Sequence, residues 1–207
     1  MRVEVRIVAG ALRGRKLKCE ISPGLRPTPQ MVREALFSIL GNAVPGRPFI
    51  DVFAGTGVVG LEALSRGASS ATFVERDFRL LADLERHIAA FRVGDRASLA
   101  RSDVYRWADR WQAPAEPVTV FLSPPFADFE GRNDELMAAI AALQQRATPG
   151  SVIVLQAERG AELGRLPDRG QWDERQYGRN LLLFWVKPPQ ENEQDDRMEG
   201  EPLPPGE

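Results

Sequence analysis

Ser123-Pro124-Pro125-Phe126 sets a hydroxyl, two prolines and an aromatic ring in four consecutive residues. Read structurally, two adjacent prolines simply end a strand, because neither has an N–H to give to a ladder. The same four residue types also suit chemistry at an exocyclic base amine. That nitrogen is a poor nucleophile, since its lone pair is delocalised into the ring. Acceptors aimed at its N–H groups favour pyramidalisation and free the lone pair; the Ser123 hydroxyl and the Pro124 carbonyl are two such acceptors. Pro124 and Pro125 stiffen the loop and withdraw competing donors. Phe126 offers a face to the base, and base–aromatic stacking is worth roughly 1–3 kcal/mol. Reaching a paired base requires flipping it out of the stack. Transfer of a methyl group to such a nitrogen needs positioning above all, with no metal and no covalent intermediate.

A second constellation lies upstream, in Asp51-Val52-Phe53-Ala54-Gly55-Thr56-Gly57-Val58-Val59-Gly60. Gly55, Gly57 and Gly60 satisfy G-x-G-x-x-G between an apolar run and a helical pattern, and Glu75 follows at the next strand end. Nicotinamide enzymes and S-adenosylmethionine enzymes both place glycines and a ribose-binding acid there, so a nicotinamide-dependent oxidoreductase is one reading. Three features favour S-adenosyl-L-methionine. Asp51 precedes the turn, where a carboxylate suits the ammonium of methionine and repels a pyrophosphate. Asp103 follows the third strand, in reach of an adenine amine. His87 is the one imidazole in the chain, and its helical context reads as a solvated or capped side chain rather than an acid or base for hydride chemistry. The candidate cofactor contacts are Asp51, Ala54, Gly55, Thr56, Gly57, Glu75, Arg76, Asp103 and Val104.

These residues need a scaffold, and the hydrophobic pattern supplies one. Apolar strand runs at Phe49–Ala54, Ala71–Glu75, Ala97–Arg101, Val118–Leu122 and Val152–Gln156 alternate with helical patterns at Gly57–Arg66, Phe78–Phe91 and Glu135–Arg146. Such alternation predicts an α/β fold with a mainly parallel sheet and helices on both faces. Trp172–Gln176 and Leu181–Val186, around Gly178, predict a closing antiparallel hairpin. Ahead of this domain, residues 3–19 read as two short strands around Gly10 and Gly14, followed by a helix over Gln30–Leu40. The expected organisation is a basic arm or hairpin over 1–29, a catalytic domain over 30–187 and a disordered acidic tail over 188–207.

Charge is divided just as unevenly. The 207 residues carry a net charge of −2. Residues 1–34 hold eight basic side chains against three acidic ones, a local charge of +5, whereas residues 190–207 hold seven acids and one arginine, or −6. A basic arm on a weakly acidic chain fits a polyanion partner; Arg6, Arg13, Arg15, Lys16 and Arg26 are the candidate RNA contacts. Cys19 is the single cysteine, so no internal disulfide and no thiol-based zinc site is expected. No apolar run approaches the ~20 residues of a membrane span, and the first residues lack a signal-peptide layout. A cytoplasmic monomer without a metal is the expectation.

The chain resembles a known family, the bacterial 16S rRNA guanine-N2 methyltransferases of the RsmD type. The likeness begins with Arg6-Ile7-Val8-Ala9-Gly10, Arg13-Gly14-Arg15, Arg26-Pro27-Thr28 and Val32-Arg33-Glu34-Ala35-Leu36-Phe37. It continues through Asp51–Gly57, Gly60–Ala68, Phe73-Val74-Glu75 and Tyr177-Gly178. The resemblance implies a class I methyltransferase (Rossmann-like) fold of seven strands with an added N-terminal β-hairpin. It implies S-adenosyl-L-methionine as cofactor, held by Gly55, Gly57, Glu75 and Asp103. It further implies a guanine of 16S rRNA as target, in the 30S subunit or its late assembly intermediate. One departure stands out: the family typically has Asp or Asn where this chain has Ser123. Ser-Pro-Pro-aromatic resembles N4-cytosine methyltransferases, which keeps adenine N6 and cytosine N4 as alternative targets. A non-catalytic RNA-binding assembly factor is the remaining reading.

Overall fold

A computed structural model describes residues 1–22 and 25–189. β1 (Arg2–Arg6) and β2 (Lys16–Glu20) form a separate antiparallel pair, in register from Arg2 opposite Glu20 to Arg6 opposite Lys16. The other seven strands build one sheet: β3 (Pro48–Val52), β4 (Ser70–Glu75), β5 (Ala97–Arg101), β6 (Thr119–Leu122), β7 (Val152–Glu158), β8 (Asp173–Tyr177) and β9 (Asn180–Val186). Their order is β5-β4-β3-β6-β7-β9-β8. The first five are parallel; β9 runs antiparallel to both its neighbours. This is the seven-stranded, mainly parallel sheet with an appended hairpin that the resemblance implies.

Strand order reverses between β3 and β6. Crossovers lead one way from β3 to β4 and β5, and the other way to β6 and β7. A crevice therefore opens at the carboxyl ends of β3 and β6, where ligands of open α/β sheets bind.

Alternation along the strands divides the interior in two. Phe49, Phe73, Phe121, Val154 and Leu182 face the layer that contains α1 (Gln30–Leu40), α2 (Val58–Ser65) and α3 (Phe78–Phe91). Val52, Val74, Val120, Leu122 and Leu155 face α4 (Val104–Ala108) and α6 (Asn133–Arg146). A short helix, α5 (Asp128–Gly131), follows β6. Among the described residues no helix is long and apolar enough to cross a membrane.

The hairpin is fastened at three places. Gly10, at φ +80°, lets the β1–β2 connection touch the end of α2; a Cβ there would lie 1.8 Å from the Ser65 carbonyl oxygen. Ala11 N–H donates to that oxygen at 2.7 Å and Leu12 N–H to Ser65 Oγ at 2.8 Å. On α3, Asp83 Oδ2 accepts from Glu20 N–H at 3.1 Å and His87 Nε2 from Lys18 N–H at 3.1 Å. His87 is thus neither freely solvated nor a cap, and burial lowers its pKa. Beneath the hairpin, Arg33 is 1% exposed and donates to Glu62 Oε2 at 3.0 Å, Thr28 O at 2.6 Å and Arg6 O at 2.7 Å.

Several boundaries differ from the sequence expectation. β3 ends at Val52 rather than Ala54, because Phe53 takes φ +61° and leaves the ladder. Lys16–Glu20 does pair with Arg2–Arg6 around Gly10 and Gly14, across a nine-residue connection. α6 begins at Asn133, and α4 and α5 are additional. The acidic stretch 190–207, expected to be disordered, lies outside the described residues.

Candidate active site

The turn after β3 is held by carboxylates. Phe53, Gly55 and Gly57 all have left-handed φ, at +61°, +55° and +71°. Glycine takes that region freely, while Phe53 does so at a cost. Glu75, at the end of β4, accepts Gly55 N–H on Oε2 at 2.9 Å. Its Oε1 accepts the N–H groups of Arg76 and Asp77 at 2.8 and 2.9 Å. Asp51 is 1% exposed and its Oδ2 accepts from Gly60 N–H at 2.9 Å, in the first turn of α2. Burial, opposed by that N–H and reinforced by Glu75, pushes the Asp51 carboxyl up to about 8.

The three glycines serve different ends. A Cβ on Gly57 would lie 2.5 Å from Leu84 Cδ1, and one on Gly60 2.3 Å from Phe73 Cε1. Both therefore let the turn and α2 press onto α3 and β4. A Cβ on Gly55 would meet Leu25 at 3.5 Å and the Phe53 carbonyl oxygen at 3.8 Å, both ordinary contacts, so this buried glycine answers to its left-handed φ rather than to a close neighbour. Ala54, Thr56 and Val104 are buried and Arg76 is exposed. Asp103 caps α4, with Oδ1 accepting from Tyr105 N–H at 3.0 Å and Oδ2 lying 3.5 Å from Arg132 Nη1. Arg132 also lies over the Tyr105 ring, 4.0 Å from its centroid.

The proline loop abuts this turn. In register, Leu122 pairs with Val52, and Ser123 N–H donates to the Val52 carbonyl at 3.3 Å. Ser123 is half-buried and Pro124 buried. The Pro125 carbonyl accepts from Asp128 N–H at 2.9 Å and the Phe126 carbonyl from Phe129 N–H at 3.1 Å. Among the described residues no donor reaches the Pro124 carbonyl. Phe126 is 44% exposed, its ring 6.5 Å from that of buried Phe129. The carboxyl edge of the sheet thus carries a glycine turn, two strand-end carboxylates, a carbonyl that no protein donor reaches among the described residues, a hydroxyl and an exposed aromatic face. Glu75 and Asp103 are acceptors suited to ribose hydroxyls and an adenine amine, so the residues present fit an adenosyl cofactor.

Three residues at this edge carried no role in the sequence. Gln156 Oε1 accepts from Thr28 Oγ1 at 2.9 Å and lies 3.4 Å from Ser123 Oγ. Gln156 Nε2 donates to Asn180 Oδ1 at 3.1 Å. A lone glutamine ending the apolar run Val152–Leu155, level with Ser123, was the available signal. Leu25 and Thr28 bring the end of the arm to the site, with exposed Arg26 between them. Arg6, Arg13, Arg15 and Lys16 are exposed on the hairpin and its connection; Lys16 Nζ is 2.7 Å from Glu4 Oε1, and the Arg15 guanidinium lies 5.8 Å from the Phe91 ring centroid.

Comparison with known proteins agrees with this arrangement. A family model described as "Conserved hypothetical protein 95" matches residues 5–186. "Ribosomal RNA small subunit methyltransferase D" of Escherichia coli is 40% identical over 123 residues, 59% of this chain and 61% of that protein. The match thus spans about three fifths of that relative's length. "Putative rRNA methyltransferase YlbH" of Bacillus subtilis is 32% identical over 163 residues, covering 77% of this chain and 85% of that protein. Among solved structures, "Putative methyltransferase yhhF from Escherichia coli" superposes with a TM-score of 0.76 at 29% identity, covering 91% of this chain and 100% of that one.

Proposed function

Since the chain belongs to the conserved hypothetical protein 95 family, we propose that it transfers a methyl group from S-adenosyl-L-methionine to an exocyclic base amine of ribosomal RNA, and that the acceptor is N2 of a guanine in 16S rRNA. The observation that carries this reading is the hydrogen bond from Ser123 N–H to Val52 O. It sets the amine-holding loop flush against the glycine turn, so acceptor and donor sites share one crevice. The named rRNA methyltransferases among the relatives support the substrate class.

When bound, S-adenosyl-L-methionine would supply an electrophilic methyl group on a sulfonium sulfur, for which the amine nitrogen would exchange one of its protons. Glu75 and Asp103 would hold the adenosyl part, beside the Gly55 turn. Phe126 stacks on the flipped base. The Pro124 carbonyl and Ser123 Oγ accept from the amine, turning its lone pair out of the ring. The exposed cations Arg6, Arg13, Arg15 and Arg26 attract RNA phosphates, and Lys16 joins them when it leaves Glu4. The partner is 16S rRNA in the 30S subunit or a late assembly intermediate, which places the enzyme, acting as a monomer, in the cytoplasm.

The serine at position 123 favours a second reading, cytosine N4 or adenine N6 as acceptor. Small subunits from a strain lacking the gene, incubated with protein and labelled cofactor, separate the two once the product nucleosides are weighed. N2-methylguanosine is expected. A different methylated base would move the target, and cofactor binding without transfer would leave an RNA-binding assembly factor.

A further inference from the structure

We propose that Gln156 is a positioning residue for the transfer, its side-chain oxygen taking the Ser123 hydroxyl proton so that Oγ meets the base amine with its lone pairs. The proposal rests on the reading of Ser123-Pro124-Pro125-Phe126 as the amine-holding loop. Only the acceptor character of Ser123 is useful there, because a proton turned towards the amine would engage the lone pair that must attack carbon. An Asp or Asn oxygen at this position accepts by nature. A serine hydroxyl is donor and acceptor alike, and becomes a directed acceptor only when its proton has somewhere else to go.

The structure provides that place. Leu122 pairs with Leu155 across β6 and β7, which leaves Ser123, just past the end of β6, level with Gln156 inside β7. Ser123 Oγ lies 3.4 Å from Gln156 Oε1. An amide oxygen cannot donate, so the hydroxyl does. This separation is long for an O–H···O bond, as such contacts often are before substrate closes the site. The carboxamide is held from both ends: Thr28 Oγ1 donates to the same oxygen at 2.9 Å, and Nε2 donates to Asn180 Oδ1 at 3.1 Å. Thr28 comes from the arm, Gln156 from β7 and Asn180 from β9. Three separate segments thus aim one acceptor at Ser123.

A double-mutant cycle tests this, because Asn at position 123 has no hydroxyl proton to place. Single-turnover methyl transfer to small subunits lacking the modification would be measured for the wild type, Gln156→Leu, Ser123→Asn and the double variant. Losing one neutral hydrogen bond corresponds to about tenfold in rate. Gln156→Leu is expected to slow transfer about tenfold in the serine background and less than twofold in the asparagine background. Calorimetric affinity for S-adenosyl-L-methionine stays unchanged throughout. Gln156→Glu, which presents oxygen to Ser123 and Thr28 in either orientation and accepts from Asn180 once that amide turns its Nδ2 inward, keeps most of the rate. It also secures the test where the leucine variant folds poorly. Equal losses in both backgrounds, or a glutamate variant as slow as leucine, would overturn the proposal and leave Gln156 a tether for the arm. A wild-type protein that binds cofactor but methylates no base amine would instead sink the reading of the loop, and this proposal with it.

Discussion

Phe126 is 44% exposed above Phe129, which is 1% exposed. A ring left open beside a free carbonyl is what a stacking base requires, and truncating it isolates that contribution. Phe126→Ala is expected to lower turnover by roughly 5- to 150-fold, the equivalent of one stacked base, with cofactor affinity within about twofold. A large loss of cofactor affinity in calorimetry would contradict the role. Asp51 poses a different question, of protons. Its carboxyl titrates near 3.8 when solvated and near 8 in the fold, so the folded protein holds a proton that the unfolded chain has lost. Stability without cofactor therefore falls as pH rises from about 4 to about 8 and levels off above that, by at most about 1.4 kcal/mol per pH unit. Asn in its place still accepts from Gly60 N–H and cannot ionise. Asp51→Asn should flatten the decline in Tm between pH 5 and 8; an unchanged slope would show that Asp51 does not cause it. At this scale the glycine spacing was legible, but its reason was divided. Gly55 has room for a Cβ and answers to its φ of +55°, whereas Gly57 and Gly60 answer to Leu84 and Phe73, neighbours that no local pattern displays.

Elements were legible where their period had room to repeat. Gln30–Leu40 and Phe78–Phe91 run for three turns or more and stand where the apolar spacing places them. α4 and α5, of five and four residues, are too short to show a 3.6-residue period. α2 misleads in another way. Leu61 and Leu64 read as its inward face, yet all eight of its residues are buried. Glu62 is 0% exposed between Arg33 and Arg66, with Oε2 to Arg33 Nε at 3.0 Å and Oε1 to Arg66 Nη2 at 2.8 Å. This ion pair joins α1, α2 and the end of β1. Arg33→Met removes a buried cation together with its bonds to Thr28 O and Arg6 O, and should destabilise by about 3–5 kcal/mol in urea denaturation. Pairing it with Glu62→Leu should recover part of that loss, because Arg33→Met leaves a fully buried carboxylate with Arg66 as its one remaining cation. If the double variant is no more stable than the single, the carbonyl contacts matter more than the charge.

The whole molecule separates its charges along the chain, +5 over residues 1–34 and −6 over 190–207. This asymmetry was legible in the sequence; which cations remain available was not, because that depends on the hairpin register. Glu4 stands opposite Lys18 in that register, and its carboxylate reaches Lys16 Nζ at 2.7 Å. Arg13 and Arg15 lie in the connection between the strands, exposed, with no carboxylate within ion-pair distance among the described residues. The arginines are therefore the cations ready to displace counterions from RNA, while Lys16 must first give up Glu4. Each phosphate contact contributes about 0.7–0.9 to the slope of log affinity against log salt. Arg13→Ala with Arg15→Ala should lower that slope by about 1.5 for small-subunit RNA, and Lys16→Ala alone by clearly less than half of that. Affinity at low salt should fall while cofactor binding holds. Equal slopes for the double variant and the wild type would mean that the RNA tracks another face, and would detach the hairpin from recognition while leaving the crevice chemistry untouched.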